Sequence, residues 1–207
     1  MKELLLSVEN ISKTFYKKNE NHLAVDNMSF QIYEGECVGL VGESGCGKST
    51  ISKMITRLIP CDSGSIIYKG NDISKFNKTS MKKIRNEIQM IFQNPIDSFN
   101  PRMKLVDSVS EGLKHNTNLN KKEREDKVKK VFDVVGLKEE YLNRYIKGIS
   151  GGECQRAAIA RVILINPKLL ICDEITSALD VSVQAQIVSL LNNFKKKSEY
   201  VLFIYNS

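Results

Sequence analysis

The sequence predicts an α/β fold: a three-layer core around a parallel sheet, with antiparallel strands added to one side and a helical insertion. Three observations carry this prediction. Short apolar runs without polar alternation, in ECVGLVG, KLLICDE and YVLFIY, read as strands buried on both faces of a parallel sheet. The first two pass through a polar or glycine-rich segment into helical periodicity, the strand–loop–helix order of an α/β core. The stretch from about Asn94 to Lys147 is richer in charge and in helix signals.

Each element has its own local reason. LSVENISKTFY, NMSFQIYEGE and SGSIIYKGNDI are short, partly alternating and turn-bounded, which predicts the antiparallel strands. After Lys48, residues Ile51, Met54, Ile55 and Leu58 fall on one helix face. In NLNKKEREDKVKKVFDVVGL, Asn120 and Glu123 have capping-box spacing. Val128, Val131, Phe132 and Val135 then make an apolar stripe, and Gly136 suits the stop. Ser150 and Glu153 form a second capping box before Ala157, Ile159, Ala160 and Ile163. After Asp180, Val183, Ile187, Leu190 and Leu191 repeat the helical spacing. The expected organisation is a core from residues 1–92 and 155–207, with 93–154 inserted as the helical subdomain.

Composition narrows the classes. The 207 residues suffice for one sizeable core plus a small insertion. No apolar run approaches the roughly 20 residues of a membrane helix, and MKELLLSVEN lacks the apolar stretch of a secretory signal. The five cysteines are odd in number, unclustered and far from His22 and His115, which predicts reduced thiols and no cysteine metal site. The net charge of +7 comes from lysines mixed with acids on helix-like faces without interleaved aromatics, so a solvated basic surface is expected and not nucleic-acid binding.

GESGCGKST matches G-x-x-x-x-G-K-[ST] from Gly42 to Ser49, with a strand expected before it and a helix after it. A chance glycine-rich turn would not bring that context. Gly42, Gly45 and Gly47 allow backbone to fold closely around phosphate, and the helix start is electropositive. Lys48 is placed to reach the β and γ phosphates, and Ser49 to ligate Mg²⁺. The nucleotide-contacting stretch is thus Gly42, Glu43, Ser44, Gly45, Cys46, Gly47, Lys48, Ser49 and Thr50. LLICDE ends an apolar strand in two acids, where α/β sheets bind ligands. Asp173 is the candidate metal ligand and Glu174 the candidate general base for an attacking water. The alternative is a pair of acids closing a strand. Gly151 and Gly152 are poor helix residues, and make sense where something approaches the backbone of a helix start.

Together these segments resemble the ATP-binding subunits of ABC transporters, built on the P-loop NTPase fold. ISGGE is similar to that family's signature, MIFQNP to its Q-loop and SALD to its D-loop, and the order and spacing with GESGCGKST and CDE agree across essentially the whole chain. QNPIDSFNPR and SALDVSVQAQI further resemble subunits that energise uptake of oligopeptides, dipeptides, nickel or metal chelates, in particular the second, F-type ATPase of such systems. The resemblance implies ATP and Mg²⁺ as ligands. It places Gln93 at the metal or the attacking water, and Ser150, Gly151, Gly152 and Glu153 against nucleotide held by a partner ATPase subunit. Phe15 stands where an aromatic stacks on adenine, with Tyr16 or a simple core role for Phe15 as alternatives. The implied partners are membrane permease subunits, a second ATPase subunit (the same or different) and, indirectly, an extracellular or periplasmic substrate-binding protein. The implied location is the cytoplasmic face of the membrane, peripherally bound.

The chain departs from the family pattern at several positions. Glu153 replaces a usual glutamine, Ile175 a frequent proline and Phe99 a leucine. After VLFI the family carries a histidine that contacts the γ-phosphate, whereas here Tyr205, Asn206 and Ser207 follow. Loss of one well-placed transition-state donor typically costs about 10²–10³ in rate, so impaired hydrolysis is expected. The family fold also continues past this strand, which leads to the expectation of a truncated frame or fragment. Two other functions compete: a non-hydrolysing ATP-binding partner, and a soluble ABC-type ATPase acting on nucleic acid or ribosomes. A P-loop kinase would leave ISGGE and SALD without a role.

Overall fold

The computed structural model describes residues 2–17, 20–173, 184–186, 189 and 201–206. The expected antiparallel strands are present as β1 (Leu4–Lys17), β2 (Glu20–Tyr33), β4 (Ser63–Tyr68) and β5 (Asn71–Asp72), ordered β2-β1-β4-β5. Every pairing in this sheet is antiparallel. Register shifts in β1 between Val8 and Lys13 interrupt the ladder of the long hairpin, as bulges do.

The second sheet contains β3 (Cys37–Val41), β6 (Ile88–Ile91), β7 (Leu169–Asp173) and β8 (Val201–Asn206), in the order β3-β8-β7-β6. The three apolar runs are therefore neighbours, and β8 pairs in parallel with both β3 and β7. Their burial differs. All five residues of β7 are buried, as a doubly covered strand requires. In β3 only Val38 and Leu40 are partly covered, and Val41 is 89% exposed. The expectation of burial on both faces fails for β3, which among the described residues lies at the edge of this sheet.

Contacts divide the described chain into two units. One comprises residues 2–17, 20–90, 168–173 and 201–206; the other comprises 91–167, 184–186 and 189. In the first, α1 (Lys48–Ile55) buries Ile51, Met54 and Ile55 in a core with Leu6, Ile32 and Ile171. Leu58 does not join that face and is 57% exposed. The helix has ended at Thr56, and Arg57 turns left-handed at φ 56°, which carries Leu58 off the stripe. Helix α2 (Lys78–Glu87) follows, capped by the Asn77 side chain.

The second unit holds α3 (Leu105–Asn116), α4 (Lys121–Val135) and α5 (Gly151–Ile165). Helix α4 carries the full Asn120–Glu123 capping box, stops at Gly136 in the left-handed region, and buries Val128, Val131, Phe132 and Val135. Helix α5 packs on both α3 and α4, and so groups with the helices along its whole length rather than from residue 154 backwards. Its inward positions include Ala157, Ala158 and Ala160, small enough for close approach. A Cβ on Gly112 of α3 would come within 2.7 Å of the Ile165 side chain. Arg161 anchors the same helix, donating to the Ser98 carbonyl at 2.7 Å and lying over the Phe99 ring.

Candidate functional site

The segment between β3 and α1 is built around Lys48. Its ammonium group is buried and donates to the carbonyls of Gly42 at 2.6 Å and Glu43 at 2.7 Å, with the Cys46 thiol at 3.7 Å. The Glu43 carbonyl also accepts from the Cys46 N–H at 3.3 Å. The glycine pattern has steric causes. Gly47, the N-cap of α1, sits at φ 95°, and a Cβ there would fall on the carbonyl oxygen of Ala24. A Cβ on Gly42 would meet the Cys46 sulfur at 2.7 Å. Helix α1 receives no side-chain cap and has no acid in its first turn. Its start is thus left electropositive.

At the end of β7, the Asp173 carboxylate is buried and accepts from the Ser49 hydroxyl at 3.4 Å. A hydroxyl beside one carboxylate is a hard oxygen pair of the kind Mg²⁺ takes when phosphates and water supply the other ligands. Among the described residues no three His, Cys, Asp or Glu side chains cluster as a self-sufficient metal site. The donor set therefore fits a metal that arrives with its phosphates.

The aromatic candidates separate by exposure. Phe15 is 38% exposed and Tyr16 76%. The Lys13 ammonium lies 5.8 Å from the Phe15 ring centroid and pairs with Asp62 at 2.5 Å. Asp62 also accepts from the Thr14 N–H at 2.7 Å. The hydrogen bond from Lys13 and that from Thr14 hold the Asp62 carboxyl below the usual carboxylate range.

In the helical unit, Gln93 is exposed, just after β6 and before a 3-10 turn at Pro95–Ser98. Ser150 caps α5, and its hydroxyl accepts from the Glu153 N–H at 3.4 Å. Glu153 in return accepts from the Ser150 N–H at 2.7 Å and Ser150 Oγ at 2.9 Å, completing the capping box. Gly151 is exposed and Gly152 partly covered. Glu174 and the SALD segment lie outside the described residues, as does the apolar spacing from Val183 to Leu191 apart from the helical positions 184–186 and 189. Tyr141, whose hydroxyl donates to Glu153, escaped the sequence reading, because no motif links two residues on separate elements.

A strand that runs through a glycine loop into an uncapped helix, with a lysine and a serine–aspartate pair at the turn, is the arrangement of a P-loop nucleotide-binding domain. The chain belongs to the ABC transporter family, whose model matches residues 25–177. It is 48% identical to the oligopeptide transport ATP-binding protein OppF of Streptococcus mutans over 92% of this chain and 63% of the relative. It is 39% identical to the di/tripeptide transport ATP-binding protein DppF of Pseudomonas aeruginosa, over 95% of this chain and 61% of the relative. The chain thus spans about three fifths of the length of these curated relatives. Among solved structures, the ATP-binding cassette MJ0796, dimeric in a post-hydrolysis state with ADP and Pi, superposes with a TM-score of 0.90. That match is 26% identical and covers 98% of this chain and 88% of the other. No helix among the described residues is long and apolar enough to cross a membrane.

Proposed function

We propose that the chain binds and hydrolyses ATP with Mg²⁺ as an ATP-binding subunit of an ABC importer, and that the cargo is oligopeptides or dipeptides. The single observation carrying this is the Lys48 loop, joined through Ser49 to Asp173. The names of the OppF and DppF relatives support peptides over nickel or metal chelates as cargo.

In this reading Lys48 exchanges the Gly42 and Glu43 carbonyls for the β and γ phosphate oxygens, while Phe15 stacks on the base. Ser49 and Asp173 would hold Mg²⁺, which would neutralise phosphate charge, and the family resemblance assigns Gln93 to the metal or the attacking water. Glu174 accepts a proton from water as its oxygen attacks the γ-phosphorus; the bond to the β–γ bridging oxygen breaks, leaving ADP and phosphate. Ser150, Gly151 and Gly152 meet nucleotide held by a second ATPase subunit. Closure of the pair moves attached permease subunits at the cytoplasmic face of the membrane, and a substrate-binding protein delivers cargo from the other side. The dimeric MJ0796 cassette supports the pairing.

A second reading, a non-hydrolysing ATP-binding partner, is favoured by Asn206. In parallel register it stands opposite Val41, the residue before the loop, where the family carries histidine. Asparagine donates a hydrogen bond but is shorter and takes no positive charge.

The test is ATP turnover by the purified chain beside Glu174→Gln and Asn206→His variants. Turnover well above Glu174→Gln supports the hydrolysing subunit. Binding with turnover at the Glu174→Gln level supports the silent partner, and a gain on Asn206→His places the deficit at that residue.

A further inference from the structure

The hairpin of β1 and β2 meets the phosphate loop close to Phe15. Its pairing skips a position there: Lys13 faces Val25 and Thr14 faces Leu23, so Ala24 is an extra residue on β2. Such a bulge leaves one residue out of the ladder. The Ala24 carbonyl occupies the point where a Cβ on Gly47 would stand, and the Val25 side chain is 3.2 Å from the same point. The bulge therefore rests on the N-cap of α1. The next pair outward, after Thr14 and Leu23, is Phe15 with His22.

On its other side β1 has a neighbour only up to this point. Its ladder with β4 ends at Ser12 and Ser63, and the Asp62 N–H adds a last backbone bond to the Ser12 carbonyl at 2.9 Å. Among the described residues, Lys13–Lys17 pairs with β2 alone, and a two-stranded ribbon by itself is marginal. Asp62 extends the hold with its side chain. Oδ2 accepts from the Thr14 N–H at 2.7 Å, and Oδ1 accepts from the Lys13 ammonium at 2.5 Å. That ammonium lies 5.8 Å from the Phe15 ring centroid. An exposed ion pair contributes little to stability. Its distinction here is place: one carboxylate grips the two residues that precede the ring, across from the bulge that touches Gly47.

We propose that Asp62 is a positioning residue for nucleobase recognition: by holding Lys13 and the Thr14 amide opposite the Ala24 bulge, it fixes where the Phe15 ring meets the base of a nucleotide whose phosphates lie at Lys48. The proposal rests on the reading above that Phe15 stacks on the base. Neither bond of Asp62 consumes a group that the base needs, and Phe15 keeps 38% of its surface exposed for stacking.

The experiment titrates the full chain calorimetrically with two magnesium-loaded ligands: AMP-PNP, which is not hydrolysed, and tripolyphosphate, which has the phosphates and no base. Phe15→Ala is expected to weaken AMP-PNP binding about tenfold, and Asp62→Ala about fivefold. Tripolyphosphate affinity should not change in either, a split that a merely structural aspartate would not produce. Asp62→Asn keeps an oxygen for the Thr14 amide and loses the charge pair. It should weaken AMP-PNP about threefold, and it carries the test if Asp62→Ala does not fold. Asp62→Ala combined with Phe15→Ala should bind AMP-PNP no worse than Phe15→Ala alone. The proposal alone is overturned if Phe15→Ala weakens AMP-PNP binding while the Asp62 variants do not. It is also overturned if the Asp62 variants weaken both ligands equally, or if the Asp62 and Phe15 effects add in full. If the parent binds neither ligand, or Phe15→Ala leaves AMP-PNP affinity unchanged, the reading of the base site fails and takes the proposal with it.

Discussion

Two helices in this chain begin on glycine-rich sequence, and they begin in opposite ways. Helix α5 satisfies its own first turn: Ser150 and Glu153 exchange hydrogen bonds, and Tyr141 closes the set. Helix α1 starts on a left-handed Gly47 without side-chain cap or acid, beside a lysine that donates to loop carbonyls and lies near a thiol. The difference teaches what glycine is for at each start. At α1 it removes every side chain that would serve the helix's own amides, which leaves them for an anion. At α5 Gly151 and Gly152 keep the surface bare while the cap keeps the helix stable without a ligand.

The sharpest break in this comparison is Lys48→Ala. It should cut ATP turnover about 10²–10³-fold, equivalent to roughly 3–4 kcal/mol, and abolish any rise in Tm with MgATP. Turnover within threefold of the parent would mean that α1 is not the phosphate site. Next is Gly47→Ala, where strain at positive φ and the collision with Ala24 should cost about 1–3 kcal/mol of stability, read by denaturant unfolding. A neutral result would show that the loop relaxes freely. The self-capped starts should respond more modestly: Asn120→Ala at α4 is expected to lose about 1 kcal/mol, with no change in nucleotide affinity.

The smallest effect is on pH. Glu153 is lowered in the folded chain, first by the Tyr141 hydroxyl and then by Ser150. Its stabilisation is therefore present above the ordinary glutamate value and fades as pH falls through the lowered one. Because the group is largely solvated, the fall in unfolding midpoint on acidification should be slight. It should be slighter still in Tyr141→Phe; an equal fall in both would remove Tyr141 as its cause.

Much of this contrast was legible in the sequence because it is local. Both capping boxes and the loop spacing sit within a few residues, and the three apolar runs identified the parallel strands before any pairing was known. What sequence could not supply is contact between distant segments. The Asp62 bonds to Lys13 and Thr14 join residues nearly fifty positions apart. The left-handed turn at Arg57, which ended the α1 stripe before Leu58, carries no glycine to announce it. The boundary expected at residue 155 followed motif order, whereas α5 groups by its alanine-rich packing on α3 and α4.

The position of β8 gives the parallel strands a very long-range pairing. Residue 37 pairs with residue 202, and residue 169 with residue 201, so of the four strands of this sheet the one between β3 and β7 leaves the ribosome after the other three. Its pairing with β3 closes a very long loop, the kind of contact that slows folding. Helices α3, α4 and α5 follow one another between residues 105 and 165 and need no such closure. During synthesis, then, the helices are free to collapse early, while the strand that leads into the Lys48 loop waits for its neighbour and needs protection from stray edge pairing until it arrives.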